Sequence, residues 1–135
     1  MDAATKRLVR QRANNRCEYC GLHQNQSPLA TLQIEHVTPR KHGCGDEHEN
    51  LALALALALA CIDCNLAKSS NIAGRDPETQ ELTPPFHPRV DQWDDHFSFD
   101  GIYVLGRTSV GRTTIYVLNM NSTDQLELRA AIQDF

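Results

Sequence analysis

No run of apolar residues in this sequence is long enough to cross a bilayer. The longest, residues 51–62, has twelve residues, where a spanning helix needs about twenty. A secretory leader is not expected either, because the N-terminal stretch is polar and a paired-cysteine motif begins at Cys17. Positive charge is not in surplus: 13 Lys and Arg face 17 Asp and Glu, a net charge of −4. That excludes a protein that coats nucleic acid by bulk charge alone. The bias of a disordered or fibrous chain is also missing, since 41% hydrophobic and 22% charged residues are ordinary for a globular fold. The 135 residues suffice for one domain, or for one small domain with an extension.

What the chain does have is cysteine in an unusual arrangement. Five are present, at positions 17, 20, 44, 61 and 64. An odd set with two C-x-x-C pairs reads as a metal site in a reducing cytoplasm, not as a disulfide framework. Each pair offers two sulfurs from one tight turn, and four soft thiolates in a tetrahedron suit Zn²⁺. A site closed by four protein ligands is structural. Chemistry must lie elsewhere.

Local patterns outline the rest. Residues 3–16 read as a surface helix, with Lys6, Arg7, Arg10, Arg12 and Arg16 on a basic face and Leu8 and Ala13 as a thin apolar edge. Residues 31–37 alternate as a short strand, with Leu32, Ile34 and His36 opposite Gln33 and Glu35. The dipeptide Leu-Ala, five times over at residues 51–60, alternates like a strand but consists of helix formers. Residues 64–71 fit a helix, and 75–88 an irregular connection. Asp100-Gly101, between residues 97–99 and 102–105, signals a hairpin. Residues 108–121 fit helix and strand alike, and Ser122 with Gln125 suggests a capped helix over 123–132.

Between the cysteine pairs lies Ile34-Glu35-His36-Val37-Thr38-Pro39-Arg40-Lys41-His42-Gly43, followed by Asn50 and by Cys61-x-x-Cys64-Asn65-x-x-Lys68. This order resembles the zinc-braced form of the HNH endonucleases, the ββα-metal nucleases, over residues 17–68. The resemblance implies an α+β fold in which the Glu35-His36 strand forms a hairpin with a strand after Asn50, packed on a helix near Cys64. Residues 1–74 would be the zinc-braced nuclease core, with 51–60 as an insertion. Residues 75–135 would be a C-terminal extension holding a β-hairpin and a helix.

The resemblance also assigns roles. His36 would be the general base, and Asn50 would tie down the loop that orients it. Cys17, Cys20, Cys61 and Cys64 would hold structural zinc. Glu35 and Asn65 would hold one catalytic Mg²⁺ or Mn²⁺, and Arg40, Lys41 and Lys68 would contact the phosphate backbone. The implied partner is DNA, with RNA as an alternative, and the implied assembly a monomer or homodimer in the cytoplasm with no membrane. Two features depart from the family pattern. Cys44 stands where the family has glycine, and six residues of Leu-Ala exceed the usual spacing before the second cysteine pair. Two other functions compete with DNA hydrolysis: a non-catalytic zinc-braced nucleic-acid-binding module, and a protein-interaction domain using the Leu-rich run.

Overall fold

A computed structural model describes residues 2–27, 30–37, 57–69 and 71–132. Arg40, Lys41, Cys44, Asn50 and residues 51–56 therefore lie outside the described residues. The chain divides into two compact units, Met1–Ser70 with His87–Val90, and Asn71–Phe86 with Asp91–Phe135. Among the described residues, no helix is long and apolar enough to cross a membrane.

The first unit opens with α1, Ala3–Arg12, capped by Asp2, whose carboxylate accepts from the Thr5 amide at 2.8 Å. The helix stops before residue 16 because Asn14 and Asn15 take left-handed backbone angles, φ 54° and 55°. Asparagine tolerates that conformation better than most residues. The buried edge is Val9 with Ala13, one turn apart, and Leu8 is exposed. Two guanidinium groups complete the docking: Arg10 donates to the Leu32 carbonyl at 2.9 Å, and Arg12 to the Leu57 carbonyl at 2.8 Å.

A two-stranded antiparallel sheet follows, β1 at Gln33–His36 and β2 at Leu57–Ala60, with Glu35 opposite Ala58 and His36 opposite Leu57. The end of the Leu-Ala run is thus strand. All four β2 residues are fully buried, so both the leucine and the alanine faces are covered. Helix α2, Ile62–Lys68, starts immediately after. It begins earlier than residue 64 because Cys61 is itself the N-cap, its sulfur accepting from the Cys64 amide. It ends at Ser69, which has φ 46°. Strand, strand and helix form the expected ββα unit.

In the second unit, a hairpin of β3 (Gly74–Arg75) and β4 (Leu82–Thr83) lies within the stretch expected to be irregular. A short α3, Trp93–His96, leads into β5 (Phe97–Asp100) and β6 (Tyr103–Gly106). The turn between them is Gly101-Ile102, one residue later than the sequence signal. Gly101 supplies the positive φ, 60°, at the first turn position. The ambiguous stretch is helix α4, Ser109–Leu118, capped by the Thr108 hydroxyl and closed by Asn119 in the left-handed region. Its Thr114 hydroxyl bonds back to Val110 and accepts from the Phe86 amide, which offsets a β-branched composition. Gly111 is required there, because a Cβ would lie 2.0 Å from the His96 carbonyl oxygen. Arg112 makes a two-bond contact with fully buried Asp76. That guanidinium, with the Ser109 and Thr79 hydroxyls, holds the Asp76 carboxyl well below the usual carboxylate range. Helix α5, Thr123–Ala131, is capped by Ser122 as its sequence suggests.

Candidate metal centre and active-site strand

Knuckle turns at each end of the ββα unit bring four cysteine sulfurs together. Cys17, Cys20, Cys61 and Cys64 are buried and unbridged, and their sulfurs all lie within 4.8 Å of one another. Cys20 Sγ and Cys61 Sγ are 3.7 Å apart. That is far beyond a disulfide bond, and zinc–sulfur bonds of about 2.3 Å in a tetrahedron would separate the sulfurs by about 3.8 Å. In each knuckle the second cysteine's amide donates to the first cysteine's sulfur at 3.5 Å. These bonds orient both sulfurs inward.

The thiol electrostatics point the same way. Burial opposes ionisation of Cys17, but hydrogen bonds from Cys20, Cys61 and Cys64 outweigh it and bring its pKa well down. Cys20 and Cys64 are pushed well up, first by the hydrogen bond to Cys17. One thiolate therefore suppresses the ionisation of its neighbours unless a cation joins them. The four-cysteine cluster is compatible with a zinc site. His23 is not part of it, because its Nδ1 caps the 3-10 turn Gln24–Gln26 by accepting from the Asn25 amide at 3.0 Å.

Strand β1 carries the remaining candidates. Successive side chains point to opposite faces of a strand, so Gln33 and Glu35 share one face and Ile34 and His36 the other. The Glu35 face is the more buried one. Glu35 accepts from the Tyr19 hydroxyl, and its other oxygen lies 3.5 Å from Lys68 Nζ. Burial raises the Glu35 pKa, against the opposing pull of Lys68 and Tyr19. Its own burial, and after that the Glu35 contact, push the Tyr19 hydroxyl well up, so it remains a donor.

Helix α2 runs along this face. Asn65 donates through Nδ2 to Gln33 Oε1, and one turn later Lys68 donates to the Val37 carbonyl at 2.9 Å. Lys68 is 1% exposed. It is therefore not at the surface, as a contact to a phosphate backbone requires, and its charge is directed at Glu35. Asn65 is inside the helix, the cap position being taken by Cys61. His36 is half-buried at the end of β1, opposite Leu57. Sequence reasoning missed Tyr19, Gln33, Arg12 and the Glu18–Arg89 ion pair. The only signal for Tyr19 was its place inside the first knuckle.

Among the described residues, no group of three or more His, Cys, Asp or Glu outside the cysteine cluster is arranged to hold an ion. Comparison with known proteins supplies the context. Residues 17–71 match the family model of the HNH endonucleases. The chain is also similar to the Septu protein PtuB of Bacillus thuringiensis, 26% identical over 115 residues. That alignment covers 84% of this chain and 40% of the relative, so the chain spans less than half of that protein's length. No solved structure matches the chain.

Proposed function

From the match of residues 17–71 to the HNH endonuclease model and a cysteine cluster consistent with the zinc-braced form, we propose that this protein is a metal-dependent endonuclease hydrolysing phosphodiester bonds in DNA. One observation carries the reading: the strand bearing Glu35 and His36 is paired in register with β2 and backed by α2, and the four sulfurs cluster where the unit begins and ends. His36 is the general base that takes a proton from the attacking water, a task suited to a neutral imidazole. Zinc in the cysteine cluster is structural.

Hard oxygen donors suit Mg²⁺ or Mn²⁺, and two candidates remain on the described residues. Asn65, with Nδ2 committed to Gln33, keeps Oδ1 for an ion. Glu35 fits less freely, because Tyr19 and Lys68 already engage its two oxygens. When bound, the ion would neutralise charge developing on the scissile phosphate and its leaving oxygen. Asn50 orients the loop next to His36 in this proposal, and Arg40 and Lys41 contact the backbone. Lys68 is reassigned to holding Glu35. Lys6 and Arg10, which line a groove beside β1 with Leu32 and Ile34, add cations along the substrate's path.

The test is supercoiled plasmid incubated with the protein and Mg²⁺ or Mn²⁺, with a chelator control. Open circles are expected from a single site, and linear product only if two copies act together. The buried Glu35–Lys68 pair favours one other reading, a zinc-braced nucleic-acid-binding module in which that pair is purely structural. DNA binding without cleavage in either metal would establish it and remove the nuclease.

A second expectation concerns the Leu-Ala run. Among the described residues, strand β2 is Leu57–Ala60, the four residues that an uninterrupted family spacing provides. Deleting residues 51–56 should therefore keep the β1–β2 register and preserve nicking. The even number removed leaves every β2 residue on its original face. A rate loss above about tenfold, some 1.4 kcal/mol of transition-state stabilisation, would place the run in the working site instead.

A further inference from the structure

We propose that Arg89 is a positioning residue that, through Glu18, locks the first cysteine knuckle against the strand leading into the second. Among the described residues, strand β2 pairs with a strand on one edge only, yet it is fully buried, so the backbone groups on its outer edge need partners. Three contacts supply them. Arg12 donates to the Leu57 carbonyl at 2.8 Å, and the Glu18 amide donates to the Leu59 carbonyl at 2.8 Å. The Leu59 amide in turn donates to the Glu18 carboxylate, also at 2.8 Å.

Glu18 thus imitates a third strand with one residue. It sits between Cys17 and Cys20, and Leu59 precedes Cys61 by two positions. The edge contact therefore ties the same two chain segments that the sulfur cluster joins.

That tie depends on a carboxylate whose side chain is only 11% exposed. Its counter-ion is Arg89, 9% exposed, from the short segment His87–Val90 that belongs to this unit although it lies outside the family-matched residues. The segment is a fixed turn, with the Val90 amide donating to the His87 carbonyl and the Arg89 amide to His87 Nδ1, each at 3.1 Å. A carboxylate this far from water is costly without its partner. Losing Arg89 would turn Glu18 toward solvent, strip the Leu59 amide of its acceptor and loosen the two knuckles. Partners one step removed from metal ligands commonly govern metal retention in this way. The inference rests on the four-thiolate zinc site and not on nuclease activity.

The experiment reads zinc release from the purified 135-residue chain to a chelating dye, without DNA. Arg89→Ala should release zinc about tenfold faster than the parent, the low end of such effects, and Arg89→Lys should fall between. Glu18→Gln keeps an acceptor for Leu59 but removes the charge. In that background Arg89→Ala should change the rate by less than about twofold, because the coupled partner is gone. Unchanged release from Arg89→Ala, or an equal acceleration in both backgrounds, would overturn the proposal. Should Arg89→Ala fail to fold, Arg89→Lys compared with and without Glu18→Gln gives the same contrast. Since no substrate is involved, a failure of the nuclease reading leaves this result standing.

Discussion

His36→Ala should reduce plasmid nicking by at least about a hundredfold, the lower range for loss of a general base, while zinc content and thermal unfolding stay near those of the parent. The separation of the two effects follows from where the side chain sits. His36 is half-buried at the last position of β1, on the face opposite Glu35, and the pairing of that position with Leu57 runs through backbone atoms that alanine keeps. Nicking by the alanine variant at the parental rate would remove His36 from the mechanism. His42, outside the described residues, would become the next base to test.

Lys68 provides a second check on the same strand. Its ammonium is 3.5 Å from Glu35 and bonded to the Val37 carbonyl, just past the end of β1. In the proposed site it keeps Glu35 anionic and fixes the strand end, so it acts on the site from inside the protein. A surface cation on the phosphate backbone would instead strengthen DNA binding and steepen its loss with added salt. This difference came from tertiary packing. The spacing Asn65-x-x-Lys68 places both residues on one helix face, but it does not say which strand face they meet.

The same distinction explains what was and was not legible in the sequence. Cys-x-x-Cys is a local pattern whose geometry is set within four residues, so the knuckles and a cysteine cluster compatible with zinc could be read directly. Caps are local too, and Ser122 with Gln125 marked α5 for that reason. The burial of Glu35 was not legible, because it depends on Tyr19 and Lys68, which arrive from different elements. Alternation indicated two faces of β1 without indicating which is covered. Two-residue strands such as β3 and β4 have no periodicity to detect. The Glu18–Arg89 pair was hidden for a further reason: Arg89 lies within a proline-rich stretch whose return to the first unit only the folded chain reveals.

Cys64→Ser should cost the protein its zinc and, with it, the folded state of the first unit. The four sulfurs join the knuckle after α1 to the start of α2, and their spacing of 3.7 Å across Cys20 and Cys61 matches a zinc tetrahedron. Structural zinc contributes about 10–16 kcal/mol of apparent binding energy in small domains, whereas a whole domain is stable by about 5–15 kcal/mol. Losing the ion therefore removes as much free energy as the fold holds. Cys61→Ser separates the two duties of a cysteine that is the helix cap and a proposed zinc ligand. Serine is a good N-cap and can accept from the residue 64 amide, so a defect in Cys61→Ser reflects the missing thiolate and not a frayed helix. Both variants should purify without stoichiometric zinc, lose cooperative unfolding and fail to nick DNA, and prolonged chelation of the parent should reproduce all three. A serine variant that unfolds cooperatively at the parental temperature without metal would show that the apolar packing around β2 suffices, and the four-thiolate site would lose its structural role.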